Sequence, residues 1–277
     1  MAGRSALINV MFKAADAASR RMMRDFGEVE NLQVTKKGAA DFVTRADINA
    51  EQTIQEELAK ARPGWGFIME EGGTVPSEDP DAPQWIIDPI DGTTNFTHGI
   101  PHFAISIAVM KQGKIIAGLI LDPARNECFF AETGKGAFMN DRRMRVSGRR
   151  QFSEALFATG IPFLGRGTAE SDAHFMAELQ AVMQKSAGVR RFGAASLDLA
   201  WVAAGRYDGF WEKGLSLWDI AAGYIIVKEA GGFVSDFQSR DKAIETGNIV
   251  AANSHLHTGL LKLLREGRDS LSKSSKA

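Results

Sequence analysis

The apolar positions of the chain change period several times, and each change marks an element. Over ALINVMFKAADAASRRMMRDF, residues 6–26, Leu7, Ile8, Met11, Phe12, Ala15, Ala18, Met22 and Phe26 recur at helical spacing. That pattern predicts an amphipathic helix closed by Gly27. After a polar stretch, DFVTRADINAEQTIQEELAKARPGW puts Ile54 and Leu58 on one face of a second helix, ended by Pro63-Gly64. Short apolar runs follow. WGFIMEEGG reads as a strand ending on Glu70 and Glu71, and WIIDPIDGTTNF as a second. HFAISIAVMKQGKIIAGLILDP alternates as a hairpin around Gln112-Gly113, and NECFFAE leads into the turn Gly134-Lys135-Gly136.

NDRRMRVSGRR carries five arginines between residues 142 and 150, which predicts a solvated connection between two halves rather than an anion site. Beyond it helices and strands alternate: a helix near 172–186, another near 195–205, the strand YDGFWE, the helix WDIAAGYIIVKEA, the strands GFVSD and NIVAA, and a last helix from about residue 255. The expected organisation is one catalytic unit with an α+β half over 1–146 and an α/β half over 147–277. The Ser- and Lys-rich tail from Gly267 predicts fraying.

Composition narrows the classes. With 277 residues, 44% of them hydrophobic, the chain can bury a large core. The balance of 33 Lys+Arg against 34 Asp+Glu gives no bulk attraction to nucleic acid or anionic membrane. One cysteine, Cys128, excludes an intrachain disulfide and agrees with a reducing compartment. No apolar run approaches the roughly 20 residues of a membrane span, and Lys13 and Asp16 interrupt any leader-like segment. A soluble cytoplasmic protein that binds neither membrane nor nucleic acid is expected.

The chemistry concentrates in DPIDGTT. Asp88 and Asp91 repel at this spacing unless protonated, separated by water or bridged by a cation. Pro89 has no N–H to satisfy and lets the strand stop sharply, which leaves the Ile90 carbonyl as an oxygen ligand. Gly92 permits unusual dihedrals, and the amides of Gly92, Thr93 and Thr94 suit an anion at a helix N-terminus. Glu70 also follows a strand, whereas Asp219 opens a helix, where an N-cap role of about 1 kcal/mol serves equally. Oxygen donors without His or Cys suit Mg²⁺ rather than Zn²⁺. Four carboxylates carry a charge that two Mg²⁺ ions would offset.

At these residues the sequence resembles the inositol monophosphatase family, with its bacterial SuhB-type branch the nearest in motif. DFVTRAD, IMEE, WIIDPIDGTTNFTHGIPHFAISIAV, RRFGAASLDLAWVAAGRYDGFWE and LWDIAAGYIIVKEAGG carry the likeness, in matching order over roughly residues 5 to 265. The resemblance implies an α/β fold of mixed α+β character, a layered αβαβα sandwich, usually as a homodimer. It implies two or three Mg²⁺ ions held by Glu70, Asp88, the Ile90 carbonyl, Asp91 and Asp219, and lithium sensitivity. Gly92, Thr93 and Thr94 would hold phosphate, and Thr93 with Asp47 would orient water, with Glu70 also catalytic. Arg190, Ala195 and Glu212, alongside Asp91 and Asp219, would contact the substrate's ring. The implied reaction is hydrolysis of myo-inositol 1-phosphate and related monophosphates.

Relatives acting on fructose 1,6-bisphosphate, 3′-phosphoadenosine 5′-phosphate or histidinol phosphate are the alternatives within the fold; Thr94, where other branches carry Arg or Lys, favours the inositol type. The SuhB-type branch also implies transcription-antitermination factors as possible partners. One departure stands out: Met69 occupies the position before the glutamate pair where the family usually has Gly, which puts the shape of the pocket wall in question.

Overall fold

The computed structural model describes residues 4–27, 34–38, 41–162 and 167–274. Two helices come first, α1 (Ala6–Gly27) and α2 (Arg45–Ala61), with the hairpin β1 (Val34–Gly38) and β2 (Asp41–Thr44) between them. Then follow β3 (Gly66–Met69), β4 (Gly73–Val75), β5 (Gln84–Asp91), the short helix α3 (Thr93–Thr97), β6 (Ala104–Lys111), β7 (Lys114–Asp122), β8 (Glu127–Glu132), β9 (Gly136–Met139) and β10 (Arg142–Met144). The remainder comprises β11 (Leu156–Thr159), α4 (Ala169–Met183), β12 (Gly188–Arg190), α5 (Ala195–Ala203), β13 (Gly209–Glu212), α6 (Leu217–Glu229), β14 (Phe233–Ser235), α7 (Ala243–Thr246), β15 (Ile249–Ala252) and α8 (His257–Ser274).

The strands form two main sheets. One has eight strands in the order β10-β9-β8-β7-β6-β5-β3-β4, antiparallel except for β3 beside β5. The other has five, in the order β12-β11-β13-β15-β14, with β11 parallel to both its neighbours. Side-chain alternation stacks these sheets into layers. Trp85, Ile87, Ile105, Ile107, Val109 and Leu119 face α1 and α2, meeting Ile8, Met11, Ile54 and Leu58. Ile86, Ala104, Ala108 and Ile120 face the other way, onto Leu199 and Val202 of α5 and Ile220 and Ile226 of α6. Ala158, Phe210 and Ala251 of the second sheet close that same core from beyond the helices. On the far side of that sheet, Phe157, Trp211 and Val250 pack with Val182 of α4 and Leu260 and Leu264 of α8.

The result is five layers, αβαβα, with α5 and α6 buried between two sheets. Their burial explains why both helices read as apolar all round. Close approach needs small residues: a Cβ on Gly118 would stand 2.7 Å from the Ala222 carbonyl oxygen, so β7 presents bare backbone to α6.

Two expectations are corrected. The tail does not fray at Gly267, since α8 continues to Ser274. Gly267 lies against α4, where a Cβ would come within 2.6 Å of the Ala177 carbonyl, and Arg268 pairs with Glu178 at 2.6 Å. Tertiary packing overrides the polar composition there. The arginine stretch is only partly a connection, because Arg142 and Arg143 form the edge strand β10, and charge on an edge opposes further strand pairing. No described helix is long and apolar enough to cross a membrane.

Candidate active site

Residues three apart in a regular strand face opposite sides of the sheet. Asp88 and Asp91 escape that rule because β5 carries an irregularity between them: Asp88 pairs with Ser106 but Asp91 pairs with Ala104, so β5 uses one more residue than β6. This bulge, built on Pro89 and Ile90, brings both carboxylates to the face shared with Ile86, toward α5 and α6. The strand therefore runs on through DPID instead of stopping at its first aspartate. Ser106, opposite Asp88, donates to the Trp218 carbonyl at 3.2 Å and so seats the first turn of α6, which carries Asp219.

Asp88 is 2% exposed, and its Oδ1 has no hydrogen-bond partner. Burial first, and then the charges of Glu70, Asp91 and Asp219, hold its carboxyl well above the usual carboxylate range. Asp91 is also buried, and burial pushes it up to about 6 even though Ser196 N–H (2.7 Å), Ser196 Oγ (2.5 Å) and the amides of Ala195 and Leu197 oppose that shift. Asp219 is the third residue of its helix and forms a capping box with Ser216, whose N–H donates to Oδ2 at 2.7 Å. The N-cap itself is Ser216. Glu70 follows β3, and its N–H donates to the Ile87 carbonyl at 3.3 Å.

These groups fit a hard divalent cation on two counts: the donors are all oxygen, and Asp88 Oδ1 is orphaned in a fully buried position among three other acids. They do not yet form a closed cage. Among the described residues, no group of three or more His, Cys, Asp or Glu side chains is arranged to hold a metal ion as it stands.

Next to the acids lies the start of α3. Gly92 caps it in the left-handed region at φ 96°, where a Cβ would also meet the His102 carbonyl at 3.0 Å. The first intrahelical bond runs from Phe96 N–H to the Gly92 carbonyl, so the amides of Gly92, Thr93 and Thr94 precede the helix's own hydrogen bonding. Thr93 Oγ1 lies 3.2 Å from Asp47 Oδ1 and 3.0 Å from the Ile90 carbonyl, and Asp47 is 1% exposed. The Ile90 oxygen expected as a ligand thus already accepts from Thr93. Asn95 Nδ2 donates to the carbonyls of His102 (2.8 Å) and Phe192 (2.7 Å), tying this turn to the loop before α5.

From the second half, Ala195 opens α5 beside Asp91, and Glu212 ends β13. Burial, then the charge of Asp91, pushes Glu212 up to about 8, with Arg191 opposing. Arg190 stands apart: it is exposed, and its Nη1 donates to the neighbouring Val189 carbonyl at 3.2 Å. Its neighbour Arg191 is the arginine whose charge reaches Glu212 and Asp198.

Three functional neighbours escaped the sequence reading. Ser196 clamps Asp91. Asp198, 1% exposed with Oδ1 unpartnered, faces the charges of Glu212 and Asp91. Glu51 accepts from the amides of Glu71 (2.9 Å) and Gly72 (2.6 Å) and so holds the turn after Glu70. The signal for Asp198 was an aspartate inside an apolar helical run. Met69 settles into the core shared with α1 and α2, beside Gly72, where a Cβ would meet Met69 Cε at 2.9 Å. The side chain expected to reshape the pocket wall fills a gap under the turn.

The buried acids make a testable pH signature. An acid whose folded pKa is raised contributes stability below its unfolded pKa and loses it as pH rises through the folded value. Glu212 at about 8 and the raised Asp88 and Asp198 therefore favour the folded chain less at pH 8.5 than at pH 6.5. Cys128, raised to about 12, acts in the same sense only above about pH 8. The lowered His102 (about 4) and His257 act oppositely, but below about pH 6.5. In EDTA the melting temperature should fall by about 3–8 °C between pH 6.5 and 8.5. Divalent cations should reduce that slope, and a flat or rising profile in EDTA would contradict the charge arrangement.

Comparison with known proteins gives a consistent picture. The model of the inositol monophosphatase family matches residues 4–269. A Mesorhizobium japonicum protein named inositol-1-monophosphatase is 54% identical over 95% of this chain and 97% of its own length. A Pseudomonas aeruginosa relative named Nus factor SuhB is 45% identical, over 94% and 96%. Among solved structures, the extragenic suppressor protein suhB of Bartonella henselae superposes with a TM-score of 0.91 at 51% identity, covering 95% of this chain and all of that one. The inositol monophosphatase of Anabaena does so at 0.82 and 34% identity, over 94% and 95%.

Proposed function

Since the chain belongs to the inositol monophosphatase family, we propose that it is a Mg²⁺-dependent phosphomonoesterase that hydrolyses myo-inositol 1-phosphate and related inositol or sugar monophosphates. The observation that carries this reading is the unpartnered Oδ1 of buried Asp88, crowded by three further acids beside a helix start and the Thr93–Asp47 pair. Glu70, Asp88, Asp91, Asp219 and the Ile90 carbonyl would hold two or three ions. When bound, Mg²⁺ supplies positive charge against the phosphoryl oxygens and makes water more acidic.

The chain's own residues supply the rest. The amides of Gly92, Thr93 and Thr94 donate to phosphoryl oxygens and fix the phosphorus. Thr93 Oγ1 has one proton and two acceptors in reach. When it donates to Asp47, its lone pairs accept from a water, which is thereby aimed at phosphorus, and Asp47 is placed to receive the released proton. The ester P–O bond breaks as the water oxygen bonds to phosphorus, and the departing oxygen takes a proton from solvent, which balances the one that Asp47 receives and later releases to solvent. Glu212, joined by Ala195 and Asp219, meets the hydroxyls of the leaving alcohol.

The test is phosphate release from myo-inositol 1-phosphate by purified protein with Mg²⁺, in EDTA, and in LiCl. Turnover should require Mg²⁺ and fall in millimolar-range lithium. Undiminished turnover after chelation would remove the metal from the reading. A second reading, that the protein also binds transcription factors as a homodimer in the cytoplasm, is favoured by its 45% identity to a protein named Nus factor. Co-purification of such factors with a tagged chain from native lysate would support it, and their absence would count against it.

A further inference from the structure

The last residue of β11 pairs with Trp211 in register, and Thr159 Oγ1 donates to the Trp211 carbonyl at 2.7 Å. The next residues along the two parallel strands, Gly160 and Glu212, therefore lie side by side. A Cβ on Gly160 would come within 1.8 Å of Glu212 Oε1, 2.0 Å of Cδ and 2.3 Å of Oε2. That is the tightest such approach among the described glycines. The backbone at Gly160 is not in the left-handed region, so the glycine is not required for its dihedrals. What it provides is an absence of atoms, and the Glu212 carboxylate fills that space.

Both residues wall a cavity of about 310 Å³, together with Ile161, Pro162, Trp211 and Asp219. Displaced from Gly160, the carboxylate would have to turn toward this cavity or away from Asp91. We propose that Gly160 is the positioning residue of Glu212: its missing side chain fixes where the carboxylate stands, and through it the preference for substrates bearing hydroxyls near the ester. The preference rests on the role given to Glu212 above, whereas the placement does not.

The test is a cycle of Gly160→Ala, Glu212→Ala and the double variant in the full chain. Without substrate, Gly160→Ala should lower the melting temperature by about 2–4 °C in the wild-type background, the cost of turning the flexible end of Glu212 out of its place rather than of moving backbone. In the Glu212→Ala background it should lower it by no more than about 1 °C, because the group it collides with is gone. If Gly160→Ala fails to fold, the double variant should recover the fold. Equal losses in both backgrounds, or a double variant that fails where Glu212→Ala folds, would overturn the proposal.

In kinetics, Gly160→Ala should reduce the ratio of kcat/KM for myo-inositol 1-phosphate to that for p-nitrophenyl phosphate by about tenfold. The double variant should be no worse than Glu212→Ala. If the wild-type chain shows no preference for inositol phosphate, the substrate assignment fails while the melting cycle still decides the role of Gly160.

Discussion

Asp88→Asn is expected to lower turnover by roughly 10³-fold or more and, in EDTA, to leave a protein that melts higher than wild type. Both effects come from one carboxylate. Asp88 sits on the inner face of the β5 bulge, buried, with Oδ1 unpartnered and the charges of Glu70, Asp91 and Asp219 upon it. Without a cation, the folded chain must either protonate this group or tolerate a buried like-charge cluster. Asparagine keeps the shape and removes the charge, so at pH 8 the metal-free variant should gain about 2–6 °C. With Mg²⁺ present the gain should shrink or reverse, because asparagine is the poorer ligand. Calorimetry with and without Mg²⁺, run alongside phosphate release, reads both. A variant with near wild-type turnover would end the proposed role of Asp88, and a metal-free variant no more stable than wild type would contradict the crowding.

Thr93→Ala should reduce kcat by about 10²-fold while changing KM by less than about threefold. The hydroxyl sits 3.2 Å from Asp47 Oδ1, and in the proposed reaction its work is aiming and deprotonating a water, needed most in the transition state. The backbone amide of residue 93, which would touch bound phosphate, survives the substitution. Thr93→Ser keeps the hydroxyl and should recover most of the rate. If KM alone rose, Thr93 would be a substrate contact, and the pairing with Asp47 would be structural.

How much of this could be read from the chain depended on the range of the interaction. The period of α1, the β6–β7 hairpin around Gln112-Gly113 and the sharp turn at Gly92 are local, and the sequence pattern announces them. The bulge was not visible as such: DPID showed two acids three apart, but only the pairing with β6 shows that an extra residue brings them to one face. The short strand β12 depends on β11, a neighbour far along the chain, whereas β9 and β10 pair with the strands just before them, and there the arginines of β10 masked it as a loop. Arg190 and Arg191 are indistinguishable in a dipeptide, and since both are exposed, only the backbone direction after β12 separates the one that turns back to its own strand from the one whose charge reaches Glu212. Ser196 and Glu51 act on backbone or carboxylate groups contributed by distant segments, which no spacing rule encodes.

The clamp from Ser196 to Asp91 joins positions 105 residues apart. It is a loop closure, and it bears on folding order. The first sheet, with α1 and α2, can gather from contacts within residues 6–144. If it gathers first, its acid-bearing bulge faces water until α5 and α6 arrive, since Ser106 bonds to Trp218 and Asp91 to the start of α5. Solvent screens the acids during that interval, and their mutual repulsion is felt only when the inner helices dock and expel water. Docking of the inner layer is therefore the step most exposed to charge. Divalent cations present during refolding are expected to accelerate that late step and to leave the earlier formation of the eight-stranded sheet unchanged.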